Sequence, residues 1–218
     1  MSKFLLSLSG GKDSLAAYLR LKETFGSDSI KTFTIKSSND VVWDTNLDII
    51  NEMYEDNIIL DSGNKVYYDA FGQMLNDHNI NPNEYYFSSG ELDFMHETAD
   101  YYPLISRFGF KGFTTPFYGK PKELVFDILQ KYNCEFIITQ AFVPPGADLD
   151  EVYSNIGRIV SASELKDMYL NKSFEYFFAY QTFAVKCDSI ITLNQDKITE
   201  LHESINAIKD KNTSIIVM

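Results

Sequence analysis

The strongest constraint on this chain is local: an apolar strand signal that runs into a glycine turn and then into a helix. Phe4-Leu5-Leu6-Ser7-Leu8 is an apolar run of strand length, stopped by Ser9-Gly10-Gly11. Asp13 or Ser14 supplies a cap for the next element. Leu15, Ala16, Tyr18, Leu19 and Leu21 then give a helix with a broad apolar face, and Gly26 closes it. From Ile30 to Lys36, two sets of alternate residues rich in β-branched side chains mark a second strand. Strand, glycine turn, helix and strand make a βαβ unit, whose crossover is right-handed in nearly all proteins.

The alternation continues down the chain. Helical patterns cover 46–56, 67–79, 96–108 (with Pro103 as a kink or restart) and 121–132, where Pro121 suits a first turn. Strand patterns cover 57–60, 85–89 and 135–142. Such alternation predicts an α/β fold: a Rossmann-like parallel sheet with helices on both faces. Pro144-Pro145-Gly146 and the acidic stretch after it are the clearest punctuation. The expected domains are therefore 1–143 and 144–218. The second is a smaller α+β subdomain with helices near 163–170 and 197–209, an aromatic stretch at 174–180, strand-like 182–192 and a short apolar end at 215–217.

Composition narrows the function classes. The 218 residues carry a formal net charge of −12, which repels a phosphate backbone at long range and argues against nonspecific nucleic-acid binding. No run reaches membrane-spanning length, and the N-terminal apolar stretch is too short for a signal peptide. The two cysteines, Cys134 and Cys187, form no CxxC pair, so a reduced cytoplasmic protein is the expectation. The three histidines are scattered without zinc-ligand spacing. The 17 Phe, 14 Tyr and one Trp read as an aromatic core, or as a stacking platform for a ring-bearing substrate.

The hexapeptide Ser9-Gly10-Gly11-Lys12-Asp13-Ser14 holds the chemistry. Two glycines let the backbone approach a ligand and adopt positive φ. Amides converging at a helix N-terminus bind anions, helped by the positive end of the helix dipole. Ser9 and Ser14 add hydroxyls and Lys12 adds a mobile cation, a set suited to a polyphosphate. It is neither a Walker A loop, which needs Gly where Leu6 stands and Ser or Thr where Asp13 stands, nor a GxGxxG fingerprint.

Ser9 to Ser14 matches the SGGxDS signature, and the chain thereby resembles the PP-loop ATP pyrophosphatases, the adenine nucleotide alpha hydrolases of the HUP superfamily. Within that superfamily it looks most like the diphthine–ammonia ligase family. Gly90-Glu91 resembles a Gly-Asp after a strand, and Pro116-Phe117-Tyr118-Gly119-Lys120 resembles Pro-Leu-Trp-Gly-Lys. Asn155-Ile156-Gly157-Arg158 resembles Leu-Gly-Arg. Where that family carries a Gly-Glu-rich string ahead of Tyr-Glu-Thr, this chain reads Phe174 to Thr182, with aromatics and with Gln181 in place of the glutamate. That departure implies a rebuilt, more apolar or aromatic acceptor half.

The resemblance implies an AMP-forming amide (C–N) ligase. Such enzymes cleave ATP between the α and β phosphates, attach AMP to an acceptor oxygen with release of pyrophosphate, and let ammonia or an amine displace AMP. The implied acceptor is a carboxylate, on a small molecule or a protein, and a homodimer is possible. ATP and Mg²⁺ are the implied cofactors. Ser9, Gly10, Gly11, Lys12, Asp13 and Ser14 would hold the phosphates, and Asp13 would help hold Mg²⁺, which needs few carboxylates. Ile35, Lys36 and Ser37 would read the adenine beyond the second strand. Lys12, Asp13 and Glu91 are the catalytic candidates; Glu91 and Asp93 would orient an amine or bind metal. Lys120 and Lys122 read as a solvated helix start or as phosphate contacts, and Trp43 as packing or a ring stack. Two alternatives stand beside the ligase: a nucleotide-binding protein with little or no turnover, and a sulfur-transfer enzyme, against which the absence of a cysteine motif weighs.

Overall fold

A computed structural model describes residues 2–36, 47, 50–51, 53–54, 56–61, 67–90, 102–143, 148–170, 179–209 and 215–217. The chain divides into two compact units, one of residues 1–9 and 13–125, the other of residues 10–12 and 126–218.

The first unit is built on a five-stranded, all-parallel sheet. Its strands are β1 (Lys3–Ser7), β2 (Ile30–Lys36), β3 (Ile58–Asp61), β4 (Tyr85–Ser88) and β5 (Gly112–Thr114), in the order β3-β2-β1-β4-β5. Among the described residues its helices include α1 (Lys12–Phe25) and α2 (Tyr67–Asp77), and residues 47, 50, 51, 53 and 102–108 are also helical. This is a Rossmann-like α/β arrangement.

Strand alternation explains why both faces need cover. Leu5, Phe33 and Phe87 share one face and pack with Ala70, Phe71, Met74 and Leu75 of α2 in one buried cluster. Phe71 lies 5.6 Å from Phe33, and Phe87 lies 5.4 Å from Phe110, ring centre to ring centre. Phe4, on the opposite face, meets Phe25 of α1 at 4.7 Å. Phe33, Phe71, Phe87 and Phe110 are core residues.

A third helix, α3 (Glu123–Lys131), carries the chain out of the first unit and into the second. The second unit is α+β. Its strands are β6 (Glu135–Val143), β7 (Ile159–Ser161), β8 (Ala179–Cys187), β9 (Ile191–Thr192) and β10 (Ile215–Val217). The sheet runs β10-β6-β8-β9, with β7 also paired to β6. β6 is antiparallel to β7 and β8 and parallel to β10. Its helices are α4 (Leu149–Asn155), α5 (Ala162–Leu170) and α6 (Gln195–Lys209). Asp148 caps α4 by accepting from the amides of Asp150 and Glu151, at 3.0 and 3.3 Å.

Two strand expectations, at 135–142 and at 182–192, meet a different outcome. The strand at 135–142 is present, but it joins the second, mixed sheet rather than continuing the parallel one. The expected division at 143/144 accordingly falls later in the chain than the division between the compact units, at Val125/Phe126 inside α3. The strand-like 182–192 is two antiparallel strands joined at 188–190, where Ser189 has φ +68°. The reversal takes three residues, 188–190, and β9 has two, so the pair reads as one run in a period-two pattern.

Candidate functional site: the turn after the first strand

In the first unit, β1 lies between β2 and β4, so the chain leaves the C-terminal ends of β1 and β4 toward opposite sides. That is the topological switch point of an open α/β sheet, where ligands bind beyond the strand ends. The turn 9–14 follows β1 at that place. The Ser14 hydroxyl accepts from the Ser9 amide at 3.3 Å, and the Ser9 and Ser14 hydroxyl oxygens lie 3.2 Å apart. Ser14 is buried and Asp13 half-buried in the first turn of α1.

The end of β4 presses on the same helix start. A β-carbon on Gly90 would lie 2.4 Å from the carbonyl carbon and oxygen of Asp13 and 2.5 Å from the amide nitrogen of Ser14. Only a residue without a side chain lets two backbones come this close. Ser88, two residues earlier, is fully buried, and its hydroxyl has no hydrogen-bond partner among the described residues. Its register partner on β1 is Leu6. The sequence marked Gly90 only through its resemblance to a Gly-Asp motif. Its contact with the helix start depends on two strands about 80 residues apart in the chain being neighbours, a closure that no local pattern encodes.

In the second unit, Gly10 has φ +74°, and a β-carbon there would lie 2.2 Å from Cε2 of Phe183. Its carbonyl accepts from the Ala184 amide at 3.0 Å. Conformation and space therefore both demand glycine at position 10. The Lys12 ammonium stands over the Tyr169 ring, 4.6 Å from its centre. The Tyr169 hydroxyl donates to the Tyr180 carbonyl at 2.7 Å, and the Tyr180 hydroxyl accepts from Asn155 Nδ2 at 3.0 Å. Asn155 Oδ1 in turn accepts from the Arg158 guanidinium. Burial raises the Tyr180 phenol above its ordinary range, partly opposed by the Asn155 hydrogen bond. Tyr169 and Phe183 are site neighbours the sequence reading missed, because contacts of this separation leave no periodic trace.

The remaining candidates separate clearly. Ile35 is half-buried near the end of β2, and Lys36 pairs with Asp61 across the β2–β3 register at 3.1 Å. Lys120 and Lys122 are exposed. Ser37, Trp43, Glu91 and Asp93 lie outside the described residues. Among the described residues no group of three or more His, Cys, Asp or Glu side chains is placed to hold a metal ion. In the first unit, the two hydroxyls and the helix start closed in by side-chain-free backbone fit a phosphate group.

Cys134 and Cys187, unrelated in the sequence pattern, come together in the second unit with their sulfurs 3.1 Å apart. Both are buried. No described helix is long and apolar enough to cross a membrane.

No family model and no curated protein matches the chain. Among solved structures it is similar to the crystal structure of a predicted subunit of tRNA methyltransferase from Methanocaldococcus jannaschii, with a TM-score of 0.47 and 15% identity over 88% of this chain and the whole of that one.

Proposed function

We propose that the chain binds ATP at residues 9–14 and uses it as an AMP-forming amide ligase of the PP-loop type. One observation carries the reading: the Ser-Gly-Gly-Lys-Asp-Ser turn stands at the switch point of a parallel sheet, and Gly10 there is required by both conformation and space.

In such a ligase the acceptor carboxylate becomes an amide while ATP is consumed to AMP and pyrophosphate. The Lys12 ammonium leaves the Tyr169 ring for phosphate oxygens, a stronger partner than a ring face. The Ser9 and Ser14 hydroxyls exchange their mutual contact for the same oxygens, and the first amides of α1 meet the charge that grows on the departing pyrophosphate. The Ser88 hydroxyl offers a further donor near the strand ends. Asp13 would help hold Mg²⁺, which would supply charge neutralisation. Ile35, Lys36 and Ser37 read the adenine edge, and Glu91 orients the ammonia or amine. The acceptor is a small molecule or a protein side chain, since the net charge of −12 disfavours nucleic acid. The absence of a paired-cysteine motif weighs against sulfur transfer.

The test supplies ATP, Mg²⁺, ammonium and a panel of carboxylates and measures AMP and pyrophosphate. Release of both in step with amide formation supports the ligase. ATP that binds but stays intact with every acceptor supports a nucleotide-binding protein instead.

A further inference from the structure

From the Cys134–Cys187 geometry we infer that these two residues form a reversible disulfide by exchange with a low-molecular-weight disulfide such as oxidised glutathione. The two sulfurs are 3.1 Å apart although the residues are separated by 53 positions in sequence. A disulfide bond is about 2.0 Å long, so closure asks for about one ångström of movement.

The backbone holds both partners for that reaction. Glu135 and Lys186 are register partners on β6 and β8; Cys134 immediately precedes β6, and Cys187 is the last residue of β8. The Asp188 amide donates to the Tyr132 carbonyl at 2.8 Å, which continues the pairing beyond the cysteines. The Cys134 amide donates to Leu129 and its carbonyl accepts from Ala162, while the Cys187 carbonyl accepts from Ile190. The Lys186–Glu135 ion pair at 3.1 Å adds a side-chain link at the same level. Two sulfurs fixed by this many main-chain bonds lose little freedom on joining.

Access comes from the end of the ladder. Asn133, Asp188 and Ser189 beside the pair are exposed, and Asn133 and Ser189 both have positive φ, as turn residues do. Opening one turn exposes the sulfurs without unfolding the sheet. The Cys134 thiol is directed at the Cys187 sulfur, and that contact, with burial, pushes its ionisation well above the ordinary thiol range. As the acceptor of that hydrogen bond, Cys187 makes the first attack. Its thiolate attacks one sulfur of the small disulfide; a mixed disulfide forms and one small thiolate leaves. Cys134 then loses its proton and attacks the Cys187 sulfur, and the second small thiolate leaves. The protein gives up two electrons and two protons, and one small disulfide becomes two small thiols.

The experiment incubates the reduced full-length chain to equilibrium with excess oxidised glutathione, quenches in acid and measures intact mass and thiols alkylatable under denaturing conditions. The expected product is lighter by two hydrogens, has no alkylatable thiol, carries no glutathione and melts on the order of 10 °C higher, as closure of a loop of this length implies. Dithiothreitol restores both thiols. Cys134→Ser should stop at one glutathione on Cys187. A wild-type chain that keeps two alkylatable thiols, or that carries glutathione on either cysteine in place of the internal bond, overturns the inference.

Discussion

The ring of Phe183 occupies the space a β-carbon on Gly10 would fill, with 2.2 Å between the ring edge and that position. Gly10 also has φ +74°. Gly10→Ala therefore meets a clash and a left-handed backbone together. The expected cost is about 2–5 kcal/mol, combining overpacking with left-handed strain. Denaturant unfolding measures it. Phe183→Ala in the same chain should recover part of that loss, so the double variant is less destabilised than the sum of the two singles.

Gly90 and Gly119 give a matched contrast. Gly90→Ala puts a methyl group 2.4 Å from the Asp13 backbone, which cannot rotate away as a side chain can. It should cost about 1–3 kcal/mol and weaken nucleotide binding as well. At Gly119 nothing lies within 4 Å, but φ is +68°. Gly119→Ala should therefore lose about 1–2 kcal/mol to backbone strain alone. Thermal unfolding and ATP titration of the two variants separate the effects: both lose stability, and only Gly90→Ala loses affinity.

Lys12→Ala separates binding from folding. Its contact with the Tyr169 ring is worth about 0.5–1 kcal/mol, so the fold should persist. Loss of a charge-assisted phosphate contact of about 1.5–3 kcal/mol should weaken ATP binding by roughly ten- to a hundredfold. Calorimetric titration with ATP and Mg²⁺ measures it. Unchanged affinity would remove Lys12 from the site.

The start of α5 predicts an acid-sensitive contribution. The Glu164 carboxylate accepts from the Ser161 amide at 2.9 Å, and the Ser161 hydroxyl accepts from the Glu164 amide at 3.1 Å, a reciprocal capping box. The Ser161 amide, then its hydroxyl and then Arg158 hold this carboxyl below the usual carboxylate range. A depressed folded-state value means the stabilisation is complete above the unfolded value of about 4.3 and disappears as pH falls through the lower folded value. The group is exposed, so about 1 kcal/mol or less is expected. Ser161→Ala should lower stability at neutral pH and flatten this part of the acid unfolding profile, read by circular dichroism.

The features legible in the sequence were local. The run Phe4–Leu8, the glycine pair and the apolar face of α1 sit within one βαβ unit, and each arises from periodicity or turn chemistry at short range. The strand at 135–142 was equally legible as a strand. Its sheet was not, because pairing with 179–187 is decided by partners about 40 residues later, a choice that local patterns do not make. The same holds for the site. Residues 9–14 announced themselves by composition, whereas Tyr169, Phe183 and the close approach of Gly90 depend on distant segments meeting. Cys134 and Cys187 repeat the lesson: they form no CxxC pair in the sequence, and their proximity exists only in the fold.

Whether residues 9–14 cradle the phosphates of ATP is tested most directly by a crystal structure of the chain with Mg²⁺ and a non-hydrolysable ATP analogue. The expected result is phosphate density against the Ser9 and Ser14 hydroxyls and the first amides of α1, with the Lys12 ammonium turned from the Tyr169 ring toward it. Nucleotide seated elsewhere, with Ser9 still bonded to Ser14 and Lys12 still over Tyr169, would contradict it.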